Sequence, residues 1–253
     1  MGLDIYVGPL CRYYARDWEL ATQRVARELG VDFEIIRADD IPPPAVGDAR
    51  VAVLAWRDQL QAGLGSLIDR RLNWLGSSHG DYFTDKPGWD GRNGVVLLAA
   101  QREFPTMSLP PVVPAAIERT ALWDLVVDAH MSGPGLATRL AGRLFRRVER
   151  PRPNPYGHIY FPEMWLPVEM EPIVEATTLT GQVAPIGSIP RLRRQLEALN
   201  SASFVGSDED LEAWSGDLVD EPTFEQSAKA GLATWLRLAR IAEERHLPMV
   251  LDY

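Results

Sequence analysis

Apolar residues recur at helical spacing most clearly over residues 224–245. Leu232, Trp235 and Leu236 lie within one stripe of that segment, and Pro248 follows shortly after its end. This spacing predicts a long amphipathic helix. The same periodicity predicts helices over 13–29, 51–75 (one helix or two), 117–129, 136–148 and 189–199, the last with Ser188 as its N-cap. The apolar run 94–104 predicts a helix or, alternatively, a buried strand.

Short runs rich in β-branched and aromatic residues predict the strands. These runs cover residues 3–7, 33–36, 158–161, 165–170, 173–179, 183–186 and 249–253. Thr180 and Gly181 predict a hairpin turn between two of them. Residues 77–94 contain four glycines and one proline without any periodicity, a composition that predicts a long loop.

Together these elements predict an α/β or α+β fold. We expect a mixed central sheet that contains both terminal strands and is covered by helices. Residues 1–253 are expected to form a single domain, because a chain of this length buries enough surface for one substantial core. The proline-rich stretch 150–156 (RPRPNPY) is the alternative sub-boundary.

Both terminal strands place an aspartate, Asp4 or Asp252, inside an apolar run. A buried ionised carboxylate is costly unless it is paired or hydrogen-bonded. If the two strands are neighbours, both carboxylates project from one edge or face of the sheet. Asp4 is then a base, a metal ligand or a substrate anchor; alternatively it pairs with Arg12 or Arg16, or lies at a solvated strand edge.

The segment after the first strand, residues 11–18 (CRYYARDW), concentrates arginine and aromatic side chains. Ligands of α/β sheets bind beyond the carboxyl ends of strands, where loop residues converge. The segment therefore predicts a site for an anion or a flat ring, and the alternative is a helix start with packed aromatic rings and solvated arginines. The candidate ligand-binding residues of this region are Tyr6, Arg12, Tyr13, Arg16 and Trp18.

The predicted loop over 77–94 carries further candidate chemistry. Asp85 and Asp90 are candidate catalytic carboxylates, and Trp89 is a candidate ligand contact. With Asp81 and His79 they would supply ligands for a divalent ion, but the spacing is not that of an EF-hand and no HExxH or paired-cysteine pattern exists. We therefore expect no metal, and a lid or partner-contact loop is favoured.

His158 lies in an aromatic stretch that also contains Glu163 and Trp165. His158 is a candidate general acid or base that Glu163 would orient, and Trp165 is a candidate ligand contact. The alternative is a structural histidine within a strand. No Gly-x-Ser-x-Gly elbow or glycine-rich phosphate fingerprint is present, and Cys11 has no identified histidine partner, so neither a nucleophile nor a cofactor is expected.

Charge and composition narrow the class of partner. The net charge of −9 and pI of about 5.0 argue against nucleic-acid binding, which needs a basic face. All basic residues except Lys86 and Lys229 are arginines, as is typical of a GC-rich bacterial genome. Without a secretory signal or an apolar run of about 18 residues, the chain is expected to be soluble and cytoplasmic and to have no membrane partner.

Three segments carry a resemblance. The opening MGLDIYVG (1–8), the stretch YFTDKPGWDG (82–91) and the ending LPMVLDY (247–253) resemble a group of uncharacterised bacterial proteins that share these motifs. The resemblance spans the whole chain, which implies one domain. It brings no activity, substrate or catalytic residue.

Two functions therefore compete. The first is a cytosolic binding protein, such as an immunity-type or regulatory partner, that recognises a basic protein or a small anionic ligand; tyrosine, tryptophan and arginine clustered in loops favour it. The second is a small-molecule enzyme, a hydrolase, that uses Asp4, Asp85, Asp90 or His158 in a cleft. A third alternative is a regulatory module that senses an anionic ligand through Arg12 and Arg16. The sequence leaves the oligomeric state open.

Overall fold

The computed structural model describes residues 2–32, 42–68, 71–74, 80–130, 138–139, 145–147, 154–216 and 221–253. The described helices are α1 (Leu10–Tyr14), α2 (Ala21–Glu28), α3 (Val46–Leu64), α4 (Gly88–Glu103), α5 (Ala121–His130), α6 (Gly157–Tyr160), α7 (Ile189–Ser203), α8 (Asp208–Gly216) and α9 (Phe224–Arg245). The described strands are β1 (Asp4–Val7), β2 (Phe83–Asp85), β3 (Thr138–Arg139), β4 (Phe145–Arg147), β5 (Met164–Leu166), β6 (Val174–Thr177), β7 (Val183–Ser188) and β8 (Met249–Asp252). Single 3-10 turns follow α3 (Gly65–Leu67) and precede α5 (Ile117–Arg119).

The strands form one mixed sheet in the order β2-β1-β8-β5-β7-β6-β4-β3. Only β5 and β7 run parallel among the described strand pairs; the others are antiparallel. The first and last strands are direct neighbours, which confirms the predicted sheet with both terminal strands inside it. Strands from both sides of residues 150–156 belong to this sheet.

The two faces of the sheet bury different residues, as the alternation of strand side chains requires. On one face, Ile5 and Leu251 join the core formed with α4, α7 and α9. On the other, Val250 and Leu166 pack with α1 and α3. The fold is therefore α+β, with helices on both faces of the sheet. None of the described helices is both long and apolar enough to cross a lipid bilayer.

Glycines let α4 and α9 approach each other closely. A Cβ at Gly94 would lie 2.9 Å from the backbone nitrogen of Ala228, and a Cβ at Gly231 would overlap the carbonyl of Gly91. Real Cβ atoms essentially never come so close to backbone atoms. The crossing thus fixes where the first turn of α4 lies beside α9.

Several predicted elements are confirmed. The helix over 224–245 has the predicted bounds, and Ser188 caps α7, because its Oγ accepts a hydrogen bond from the Arg191 N–H. The turn at Thr180 and Gly181 joins β6 to β7, with Gly181 at a φ of 81°. The strand predicted over 33–36 lies outside the described residues.

Other predictions are wrong in part. Residues 77–94 are not one loop: β2 pairs with β1, and α4 begins at Gly88. Gly91 and Gly94 serve the helix crossing rather than a turn. Residues 158–161 are mostly the helical turn α6 rather than a strand. The described parts of 136–148 are strands β3 and β4, not helix, since they extend the sheet beyond β6. The helix predicted over 13–29 is two, α1 and α2.

Candidate functional site

Asp4 and Asp252 face each other across β1 and β8. They are direct partners in the antiparallel register, so both carboxylates project from the same face, as predicted. Asp4 is only 5% exposed, and its Oδ1 accepts a hydrogen bond from the Ala21 N–H at 3.4 Å. The Tyr13 hydroxyl donates to Oδ1 of Asp252 at 2.9 Å. The two aspartates thus have separate hydrogen-bond donors.

Burial raises the pKa of the Asp4 carboxyl above its ordinary value. The positive charge of Lys86 and the Ala21 hydrogen bond oppose that rise, whereas the negative charges of Asp252 and Asp85 add to it. The cation that acts on Asp4 is therefore Lys86 rather than the predicted Arg12 or Arg16.

Arg12, predicted as a partner of Asp4, is engaged elsewhere. Its Nε donates to Oδ2 of Asp17 at 3.0 Å, and its NH1 group donates to the Gly80 carbonyl at 3.0 Å. Its guanidinium also lies 4.5 Å from the centre of the Tyr82 ring. Arg16 follows α1 with a φ of 55°, in the left-handed region.

Four aromatic rings pack beside the aspartate pair. The Tyr6 ring lies 5.2 Å from that of Tyr13 and 5.0 Å from that of Trp18, and 6.1 Å from that of Tyr82. Burial raises the pKa of Tyr6 and of Tyr13, so both hydroxyls stay protonated. The structure thus brings Tyr6, Tyr13 and Trp18 together as the sequence anticipated.

An open cleft lies where α4 begins. Its volume is about 610 Å³, and it is bounded by the end of β2, the start of α4, the end of α8 and the first half of α9. We call it the lysine cleft. It is lined by Gly2, Lys86, Pro87, Gly88, Trp89, Asp90, Gly91, Trp214, Ser215, Pro222, Gln226, Ser227, Lys229, Ala230 and Thr234.

The only two lysines of the chain both line this cleft. Lys229 is held in place by an ion pair with Glu225 at 2.6 Å and by the rings of Phe204 and Trp214, each 5.2 Å from its Nζ. Lys86 lies against Gly2, where an added Cβ would come within 2.6 Å of its Nζ. Both ammonium groups are therefore positioned by their surroundings.

The first turn of α4 adds positive potential to the same cleft. Pro87 is the N-cap residue, and no side chain caps the backbone N–H groups that follow it. Uncapped N–H groups and the helix dipole together favour an anion at a helix N-terminus. Asp90, in the first turn, is the one acidic side chain among the described residues of the lining.

Ser227 contributes a hydroxyl to the cleft wall. The residue is 5% exposed, and its Oγ has no hydrogen-bond partner. A buried polar atom without a partner costs about 1–3 kcal/mol. A polar atom of a bound molecule would remove that cost.

The sequence-predicted catalytic residues occupy four different settings. Asp4 lies beside Asp252, Asp85 binds Arg237 on the opposite face of the sheet, and Asp90 lines the lysine cleft. The ring nitrogens of His158 lie within hydrogen-bond distance of backbone atoms: the Ser188 N–H donates to Nδ1 at 3.1 Å, and Nε2 lies 3.1 Å from the Glu171 carbonyl.

The two tryptophans predicted as ligand contacts outside residues 11–18 also lie in different settings. Trp89 lines the lysine cleft and is 36% exposed. Trp165 is fully buried, packs edge-on against Trp235 with 5.8 Å between ring centres, and donates from Nε1 to the His158 carbonyl at 2.8 Å. Glu163, predicted to orient His158, accepts a hydrogen bond from Tyr253. Trp165 thus has the contacts of a core residue.

Sequence reasoning missed a second polar cluster where α4, α5 and α6 end. Nε2 of the buried His130 lies 2.6 Å from Oε1 of Glu103, and the Tyr160 hydroxyl donates to Oε2 of Glu103 at 3.1 Å. Nδ1 of His130 has no hydrogen-bond partner. These residues are 27 and 57 positions apart, so no spacing pattern could have joined them.

Within the described part of the chain, no three histidine, cysteine, aspartate or glutamate side chains are grouped as a metal ion requires. Comparison with protein-family models, with curated proteins and with solved structures finds no match.

Proposed function

We propose that the protein is a regulatory binding protein and that its ligand is a small anionic molecule held in the lysine cleft. The observation that carries this proposal is the placement of both lysines of an arginine-rich chain at one cavity of about 610 Å³. Ligand pockets typically have volumes of about 300–1,000 Å³.

The charge of the ligand follows from the lining. Among the described residues of the lining, Lys86 and Lys229 stand against one carboxylate, that of Asp90, and the uncapped start of α4 adds about half a positive charge. Glu225, the ion-pair partner of Lys229, offsets part of this positive charge. This local positive potential belongs to a chain with a net charge of −9, so it is not a general property of the surface. An ammonium is a compact point charge suited to phosphate and carboxylate groups.

Binding is favoured over catalysis because the candidate catalytic groups do not converge. Acid–base catalysis needs groups within hydrogen-bond reach of one reacting atom. Asp85 forms an ion pair with Arg237, and the ring nitrogens of His158 lie within hydrogen-bond distance of backbone atoms. A hydrolase that used these residues would therefore lack a reacting atom within reach of all of them.

A second candidate is a basic protein partner. The first turn of α8 presents Asp208, Glu209 and Asp210, all exposed, and the same helix carries Trp214 at the cleft. Neutralising these residues (Asp208→Asn, Glu209→Gln and Asp210→Asn together) would abolish capture of a basic partner from the native host. Capture that survives the triple substitution would remove this candidate.

The proposal is tested by thermal unfolding with inorganic phosphate and with pyrophosphate at constant ionic strength. A ligand at 100 times its dissociation constant stabilises by about 2.7 kcal/mol, or roughly 5–11 °C for a chain of this size. We expect Lys86→Met with Lys229→Met to abolish the shift. The matched control is Arg27→Met, which also removes a charge from an ion pair but lies on α2. Equal shifts in all three proteins, or none in the unsubstituted protein, would overturn the proposal.

A further inference from the structure

We infer that the ligand of the lysine cleft joins two parts: an acidic group, held by the lysines and the start of α4, and a planar aromatic ring packed against Trp89 and Trp214. This inference rests on the proposed function and names the class of ligand. Nucleoside phosphates and aryl carboxylates share this chemistry.

Trp89 is a partly exposed indole that the structure holds in place. It lies in the first turn of α4, next to the uncapped N–H groups. Its ring contacts that of Tyr253 edge-on at 5.4 Å, and the Arg92 guanidinium lies 5.8 Å from its centre. A fixed aromatic face costs little conformational entropy when a second ring stacks on it.

Trp214 presents a second fixed indole to the same cleft. Its ring packs edge-on against Phe204 at 5.7 Å, and Gly206 lies so close that any Cβ there would overlap the ring. Asn200 holds Gly206 through both its backbone N–H and its carbonyl, at 3.1 and 2.8 Å. The wall behind Trp214 is thus rigid.

The size of the cleft exceeds what a bare anion needs. A water-sized group occupies about 30 Å³ of liquid volume, so a cavity of about 610 Å³ has room for many more atoms than one phosphate contains. The apolar part of that space is lined by two indoles, and base–aromatic stacking is a strong interaction that tolerates many ring types. The unpartnered Ser227 hydroxyl offers one further polar contact.

Calorimetry with five probes separates the two parts of the ligand. AMP carries ring and phosphate, ribose 5-phosphate lacks the ring, and adenosine lacks the phosphate; 1-naphthoate and acetate form the parallel carboxylate pair. We expect AMP to bind at least about 10-fold more tightly than ribose 5-phosphate, or 1-naphthoate to bind at least about 10-fold more tightly than acetate. The tighter of the two identifies the source of the acidic group.

Substitution of the indoles tests the ring directly. Trp89→Leu should reduce the affinity of the ring-bearing probe to that of its ringless counterpart and leave the latter unchanged, whereas Trp89→Phe should restore most of it. Trp214→Leu is the second variant, and Trp123→Leu, which removes a half-buried indole on α5, is the matched control. Circular dichroism confirms that each variant is folded.

The outcomes distinguish the inference from the function on which it rests. One outcome is that ribose 5-phosphate binds as tightly as AMP, that acetate binds as tightly as 1-naphthoate, and that this binding depends on the lysines. That outcome would overturn the inferred aromatic ring but not the proposed anionic ligand. Binding of adenosine as tight as that of AMP would overturn the acidic group and therefore the proposed function. No binding of any probe would overturn both.

Discussion

Gly231→Ala tests the helix crossing that positions the lysine cleft. The added Cβ would overlap the Gly91 carbonyl, a backbone atom that cannot rotate away, so α4 and α9 must move apart. Overpacking of this kind costs about 1–3 kcal/mol, and the better helix propensity of alanine returns about 1 kcal/mol. Because the overlap is severe, we expect a net loss near 2 kcal/mol in the free energy of unfolding.

Glycine-to-alanine substitutions at two other positions provide reference values for the change in the free energy of unfolding. At Gly94 the closest atoms to the new Cβ are the Ala228 nitrogen at 2.9 Å and its Cα at 3.0 Å, so Gly94→Ala should lose about 1 kcal/mol. Gly47 lies in α3 with nothing within 4 Å of the new Cβ, so Gly47→Ala should gain up to about 1 kcal/mol.

Urea unfolding measures all three free energies, and Gly231→Ala should also lower the midpoint of thermal unfolding by roughly 4–8 °C. Because Gly91 lines the cleft, the affinity for pyrophosphate should fall in Gly231→Ala and stay unchanged in Gly47→Ala. If Gly231→Ala and Gly47→Ala differ by less than about 0.5 kcal/mol, the crossing is not the tight contact described here.

Two further predictions concern the buried polar groups. Ser188→Ala removes both the acceptor for the Arg191 N–H and the donor to the Val168 carbonyl, so it should lower the free energy of unfolding by about 2 kcal/mol. Thr223→Ala, at an exposed helix cap, should lower it by about 1 kcal/mol. Equal losses for the two variants in urea unfolding would refute this difference. Asp4→Asn addresses the raised pKa of Asp4: the native state holds this proton more tightly than the unfolded state, so stability falls as the pH rises from the ordinary pKa to the raised one. Asp4→Asn should flatten that fall. If the free energies of unfolding of the unsubstituted protein and of Asp4→Asn change in parallel from pH 3 to 8, the prediction is contradicted.

The terminal strands show how far local sequence can predict this fold. Asp4 and Asp252 were informative because a carboxylate within an apolar run needs compensation, and the register places them opposite each other. The helix Phe224–Arg245 was predictable because its apolar stripe repeats over six turns and Thr223 caps its start. In both cases the deciding physics is local or depends on one strand pairing.

The site was harder to predict because it depends on contacts distant in sequence. Gly88 and Gly91 look like loop residues, yet Gly91 belongs to a helix crossing with Gly231, 140 positions away in the chain. Lys86 lies within the stretch 82–91 and Lys229 lies in α9, and only the fold brings them to one cleft. Their rarity in an arginine-rich chain was visible in the sequence, and it was read as codon usage alone.

The two lysines also make the central proposal directly measurable. Amine acetylation followed by peptide mass analysis reports on Lys86 and Lys229 individually, because no other lysine exists in the chain. We expect pyrophosphate, compared with sodium chloride at equal ionic strength, to slow acetylation of both lysines together, with half-protection at the dissociation constant that the thermal-unfolding shifts give. Unchanged acetylation rates at a pyrophosphate concentration that saturates binding would show that the anion lies elsewhere.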